Sequence, residues 1–375
     1  MHYDAIVLGT GGVGSAALLA LAECGLNVLG LDRFPPGHNH GSSHGESRII
    51  RRAYFEHADY VPLLARAYER WEELERETQK RLFHRVGLLQ VGPPQGVVIA
   101  GVLQSASTHR LTVESLSARE ANERFPGFYV PPEFTAVFEA DAGYLLVEDC
   151  VVAHACAAVR RGAKLHIGES VKSWHVSGDA VQVTTDQQVY SAARLIITAG
   201  AWANDLLADL GVPLRVVRKH LHWFATEQPW YRRAAQCPTY LFELPHGVFY
   251  GFPEVHEATV KVAEHSGHHD VVADPLHDPS TIDAIDQQRV TQFVATYMPG
   301  VSAMITRHAR CFYTLSPDEH FIIDQHPAHP QVVFAAGLSG HGFKFTPVLG
   351  EVLAELAIDG RSQQPMEFLR LHRLK

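Results

Sequence analysis

The sequence predicts an α/β protein made of two interleaved units, on three observations. The chain opens with a strand–helix–strand unit around a glycine-rich turn. An apolar strand ending in glycine recurs at 195–200, as the return strand of the same sheet. Residues 215–265 are rich in strand formers and aromatics, which marks a separate sheet. At 375 residues the chain is long enough for about two domains and a buried ligand. No internal repeat or low-complexity linker divides it, so the chain is expected to cross between the units more than once.

The first unit is the most explicit. Residues 4–8 read as a short buried strand. Gly9-Thr10-Gly11-Gly12-Val13-Gly14 follows as a full GxGxxG. Residues 15–24 are rich in Ala and Leu and read as a helix, with Gly25 as its stop. A second strand at 27–31 ends in Asp32. Gly9 allows the tight turn, Gly11 lets the backbone approach a pyrophosphate, and Gly14 lets helix and strand pack closely. The helix N-terminus favours an anion, and Asp32 can accept ribose hydroxyls. NAD and FAD share this opening, so the motif leaves the choice between them open.

Past a loop at Arg33-Phe34-Pro35-Pro36-Gly37, Arg48, Arg51 and Arg52 read either as a carboxylate or phosphate clamp or as a solvated basic face. Val61, Leu64, Ala65, Tyr68, Trp71 and Leu74 recur at helical spacing, so 59–79 is a core helix with Asp59 as N-cap. Residues 82–140 are weakly periodic and broken by Pro93-Pro94, Pro126-Gly127 and Pro131-Pro132. A helix reads over 148–161, and 181–184 with 189–191 reads as a hairpin around Asp186.

Near the C-terminus, Cys311 follows Arg307, His308 and Arg310, a basic run expected to lower its thiol pKa. The bland alternative is a small buried side chain. Strands at 321–324 and 332–336 lead into Gly337-Leu338-Ser339-Gly340-His341-Gly342-Phe343-Lys344-Phe345 and a helical run. Those glycines suggest backbone packed against a flat ligand.

Composition narrows the function. A net charge of −9 argues against nucleic acid and anionic lipid surfaces as partners. The five cysteines are odd in number and lack a CxxC pair, which points to a reducing, cytoplasmic setting. The histidine clusters (His38, His40 and His44; His265, His268 and His269) have no recognised zinc spacing, so no metal is expected. The apolar stretch 5–31 lacks the basic start of a signal peptide and carries too many glycines for a membrane span.

Together these residues resemble the monomeric sarcosine oxidase and N-methyl-tryptophan oxidase family of flavoenzymes, over nearly the whole chain. The resemblance rests on the GxGxxG with Asp32, on His44-Gly45-Glu46-Ser47-Arg48-Ile49-Ile50-Arg51 and on Tyr250-Gly251-Phe252-Pro253. It continues through Lys261 with His265, Cys311-Phe312-Tyr313, Asp318-Glu319-His320-Phe321-Ile322-Ile323-Asp324, and Gly340-His341-Gly342-Phe343-Lys344-Phe345. Glu46-Ser47 departs mildly from the family's usual Asp-Thr.

The resemblance implies a Rossmann-like FAD domain of the glutathione-reductase type (1–85, 140–215 and 320–375). With it comes a substrate domain on a large mixed β-sheet (86–139 and 216–319). It implies FAD held covalently through Cys311, and cofactor contacts from Gly9, Gly11, Gly14, Asp32, Gly340, His341 and Gly342. Arg51 and Lys344 match the pair that holds a substrate carboxylate; His44 and Arg48 match residues lining the flavin. Lys261 matches the lysine that promotes oxygen reduction, while Tyr250, His265 and Tyr313 match residues around the substrate amine. The implied reaction is oxidation of an N-methyl amino acid by O2, by a monomer. The motifs do not choose between sarcosine and a bulkier substrate. The rival readings are a related amine oxidase acting on glycine, D-amino acids, pipecolate or glycated amino acids, and a flavin-binding sensor or assembly protein without turnover.

Overall fold

A computed structural model describes residues 2–256, 258–267, 270–279 and 281–374. The first sheet has five parallel strands side by side: Lys164–Ile167, Val28–Asp32, His2–Leu8, Val189–Ile197 and His329–Ala336. The central residues of the inner strands are almost wholly buried, as apolar strands covered on both faces should be, while the edge strand Lys164–Ile167 stays partly exposed. Ile322–His326 pairs antiparallel with His329–Ala336, and Val171–Ser177 with Ala180–Thr185 extends the sheet beyond Val189–Ile197. The hairpin strand and the return strand, read separately from the sequence, are one strand. Its residues 189–192 pair with 181–184 and its residues 191–197 with His2–Leu8.

The helix Gly12–Glu23 is buried from Gly12 to Ala22 and packs against Thr346–Asp359 and Val147–Arg160. A helix apolar all round belongs inside a core. At its crossing with Thr346–Asp359, a Cβ on Gly350 would lie 2.5 Å from the Ala16 carbonyl carbon, so only glycine lets the two backbones approach. The helix Tyr60–Thr78 buries Val61, Leu64, Tyr68, Trp71 and Leu74. Asp59 stands at its N-cap position but makes no capping hydrogen bond, contrary to expectation.

The second sheet is eight-stranded and mixed. In spatial order its strands are Val301–Leu315, Arg215–Thr226, Thr259–Glu264, Gly247–Phe252, Thr239–Leu244, Leu88–Gly92, Thr135–Glu139 and Glu114–Ser117. All neighbours are antiparallel except Thr239–Leu244 with Leu88–Gly92. The weakly periodic stretch 82–140 also holds two helices the sequence reading missed, Val97–His109 and Ala118–Arg124. The shorter begins with a capping box, in which the Ser117 and Glu120 side chains each accept from the other's backbone N–H. A small sheet of Ser47–Ile50, Gly143–Leu146 and Phe83–Arg85 carries the arginine motif.

Candidate active site

A cleft of about 470 Å³ opens at the C-terminal ends of the parallel strands, lined by Gly9, Gly11, Asp32, Ser43, Thr198 and Gly337 among others. The mouth of such a sheet is where α/β proteins place dinucleotides. Gly9 has φ +81°, and a Cβ there would lie 2.7 Å from the Thr198 carbonyl oxygen. A Cβ on Gly14 would lie 1.8 Å from the Gly9 carbonyl oxygen; Gly14 serves the helix–strand contact and does not line the cleft. Gly11 differs. Its Cβ would meet only Ser43 Oγ, at 3.8 Å, so protein packing does not require glycine there. A ligand brought against the Gly11 backbone would. Asp32 accepts from Thr10 N (2.6 Å) and Phe34 N (3.0 Å), which fixes its carboxylate at the cleft with acceptor capacity to spare. These residues fit the pyrophosphate and ribose of FAD.

A second cavity, of about 50 Å³, lies beside the cleft. Arg48, Tyr313, Gly340 and Phe343 line both. The smaller one is also lined by Arg51, Lys344, Tyr250 and His265. Arg51 is buried and its guanidinium grips Glu56 at 2.5 Å. Burial opposes ionisation of Glu56, but the Arg51 charge wins and holds its pKa down to about 2. Lys344 donates to the His341 carbonyl (2.7 Å) and the Tyr54 hydroxyl (3.4 Å). Burial, then the Arg51 charge, lowers its pKa to about 7. Arg51 and Lys344 therefore form a buried pair of cations with one internal counter-charge. The alternative of a solvated basic face does not hold for Arg51, which is 4% exposed; Arg52, stacked on Tyr68, stays partly exposed.

Of the remaining predicted residues, Tyr250, His265, Tyr313 and Arg48 line the smaller cavity, while His44 and Lys261 line neither. His265 Nδ1 lies 3.3 Å from Tyr313 Oη. Burial, then Lys219, lowers the His265 pKa to about 3, so its ring is neutral at pH 7. Arg48 donates to the carbonyls of Ser47 (2.9 Å) and Ser42 (3.0 Å). His44 is buried, with Nε2 lacking a partner, and burial with the Arg48 charge lowers its pKa to about 3. Lys261 is buried behind the motif and donates to the carbonyls of Gly45 and Ser47, both at 2.7 Å. Gly340 and Gly342 line the cleft; a Cβ on Gly340 would run into the Tyr313 ring. His341 lines the smaller cavity instead, between the Tyr54 hydroxyl (2.6 Å) and the Glu319 carbonyl (3.0 Å).

Cys311 lies buried in the strand Val301–Leu315, directly opposite Lys219. Its electrostatic setting corrects the sequence reading. Arg307 pairs with Glu46, Arg310 with Asp278, and His308 with His220, so the basic run points elsewhere. Burial raises the thiol pKa, and the cations that oppose this are Arg48, Lys261 and Lys219. Along a strand His308 and Arg310 fall on the face opposite Cys311, and Arg307, four residues away, is held by Glu46; the cations that count come from other elements.

The profile of the family described as FAD dependent oxidoreductase matches residues 4–356. The chain belongs to that family. A monomeric sarcosine oxidase of Bacillus sp. (strain B-0618) is 38% identical over 375 residues, covering 99% of this chain and 96% of the relative. An N-methyl-L-tryptophan oxidase of Yersinia pestis (strain Pestoides F) is 37% identical, with 100% of both chains covered. Among solved structures, NikD, an unusual amino acid oxidase essential for nikkomycin biosynthesis, superposes with a TM-score of 0.87 at 25% identity. It covers 98% of this chain and 97% of its own. As an FAD dependent oxidoreductase, this chain takes FAD, and the lining of the larger cleft fits it.

Sequence reasoning missed Glu56, Tyr54, Glu148 and Lys219. Glu56 lies five residues past Arg51, a spacing with no periodic signature outside a helix. Glu148 accepts from Gly45 N across the fold, and Lys219 meets Cys311 only through strand register. Among the described residues no group of three or more His, Cys, Asp or Glu is placed to hold a metal ion, and no helix is long and apolar enough to cross a membrane. His268 and His269 lie outside the described residues.

Proposed function

We propose that the chain is an oxidase of N-methyl amino acids, forming the primary amino acid, formaldehyde and hydrogen peroxide. The observation that carries this is the buried Arg51–Lys344 pair in a small cavity sharing its wall with the FAD cleft. One carboxylate satisfies two such cations through charge-assisted hydrogen bonds. The names of the relatives, a sarcosine oxidase and an N-methyl-L-tryptophan oxidase, support the substrate class.

When bound, FAD supplies the two-electron acceptor that no side chain provides. The chain's residues do the rest. Arg51 and Lys344 hold the carboxylate, with Glu56 giving way on Arg51. Tyr250, Tyr313 and His265 face the amine. Oxidation needs the amine lone pair free; Tyr250, Tyr313 and His265 carry no negative charge, and the anionic side chain in the cavity wall, Glu56, lies on the carboxylate side beside Arg51. The cations around the cavity favour the neutral amine instead. Lys261, fixed by its hydrogen bonds to two carbonyls, acts on the oxygen side, where positive charge stabilises developing superoxide.

The proposal includes a thioether from Cys311 to the flavin and function as a monomer. Five free cysteines accord with a reducing, cytoplasmic compartment. The test is a substrate panel read by peroxide and formaldehyde: sarcosine, N-methyl-L-tryptophan, glycine, D-alanine, pipecolate and a fructosyl amino acid. Turnover of an N-methyl amino acid with both products is expected. Turnover only of glycine, D-alanine or the fructosyl compound, without formaldehyde, overturns the reading. Lys261→Met is expected to slow flavin reoxidation by oxygen at least tenfold, on the order of a lost charge contact; stopped-flow absorbance checks it.

A further inference from the structure

The two carbonyls that hold Lys261 flank one residue, Glu46. That residue has φ +75°, a left-handed conformation that strains a side chain such as glutamate. Strain of this kind persists only where the surroundings over-determine it, and here they do. Glu148 accepts from Gly45 N (2.6 Å) and Glu46 N (3.1 Å), and Val147 N donates to the Glu46 carbonyl (3.0 Å). The Glu46 carboxylate accepts from Trp223 Nε1 (2.9 Å) and Arg307 (2.8 Å). Trp223 is the cross-strand partner of Lys261, and its ring lies 5.7 Å from Nζ and 3.7 Å from the Arg307 guanidinium.

We propose that Glu46 is the positioning residue of Lys261: its carboxylate locks the strained turn that aims two carbonyls at Nζ, and its negative charge stands beside the buried amine. The electrostatic part rests on what faces Lys261. Burial, then Arg48, pulls it well below the ordinary lysine value; Glu46 leads the groups that oppose this, ahead of Glu148 and Cys311. His44 is neutral and Phe252, 4.2 Å from Nζ, is apolar. The usefulness of that charge, though not the positioning itself, rests on the oxygen-side role of Lys261 given above.

The test uses purified holoprotein labelled with ¹⁵N at lysine Nζ, the Lys261 signal being assigned by its loss in Lys261→Met. Glu46→Gln is expected to move the Lys261 midpoint down by about one pH unit, tenfold in proton affinity. Arg307→Gln, at a half-exposed position where folding is not at stake, frees the carboxylate and is expected to move the midpoint up. The falling limb of flavin reoxidation against pH follows in both cases. An unmoved midpoint in both variants overturns the proposal. Midpoints that move without the reoxidation limb leave Glu46 standing as the positioning residue and remove the oxygen role of Lys261. Loss of reoxidation in Lys261→Met beside an unmoved midpoint does the reverse.

Discussion

A buried lysine near pH 7 makes binding sensitive to pH in a definite direction. Lys344 is charged below its pKa of about 7 and neutral above it. A carboxylate binds the charged form, so affinity for a non-oxidisable acid such as propionate is expected to fall above pH 7, by up to about tenfold per unit. Flavin difference spectra across pH 6–9 measure it. Stability runs the other way. Between about 7 and the ordinary 10.5 the folded chain has lost the Lys344 proton while the unfolded chain keeps it, so this group's contribution to stability rises with pH over that window. Lys344→Met should raise KM by roughly thirtyfold, the loss of about 2 kcal/mol of charge-assisted bonding. At Cys311, substitution by alanine is expected to release the flavin into the supernatant on acid precipitation while the protein still folds, since the site is a small buried one. Flavin that stays with the pellet places the tether elsewhere.

At the scale of elements, the glycine turn separates two functions that the motif writes together. Gly14→Ala puts a methyl 1.8 Å from a backbone oxygen and should cost several kcal/mol in folding, as overpacking against rigid backbone does. Gly11→Ala has room in the protein and should melt close to the parent while losing FAD affinity. Thermal melts with FAD titration, both in a Cys311→Ala background, check the pair. Equal melting losses in both variants would show that Gly11 also serves packing. The legible and illegible parts of the chain divide along the same line. The nucleotide unit could be read because strand, turn, helix and acid lie within 32 residues and each leaves a local trace. The helix Ala118–Arg124 left one too, the Ser117–Glu120 capping box, in a stretch where proline breaks drew the eye. Lys261 and Cys311 could be placed by resemblance, but their settings could not. Gly45, Ser47, Trp223 and Lys219 reach them through sheet register and one strained turn, and register is a property of pairing that no single strand displays.

The whole molecule brings the site together from distant stretches. The cleft draws on residues from Leu8 to Thr346, so FAD binding should report on the entire fold. In Cys311→Ala, a single melting transition that rises with the logarithm of FAD concentration is expected, and calorimetry checks it. The same assembly leaves all five thiols unpaired, with Cys24 and Cys156 exposed. An oxidase that releases peroxide is bathed in its own oxidant, and peroxide attacks the thiolate. Cys24 is shielded: partial burial and the charges of Glu23, Asp359 and Glu355 raise its pKa and keep it a thiol. Three carboxylates placed by the ends of two helices thus slow the wear at that site, and working lifetime becomes a property of surface charge as much as of the active centre.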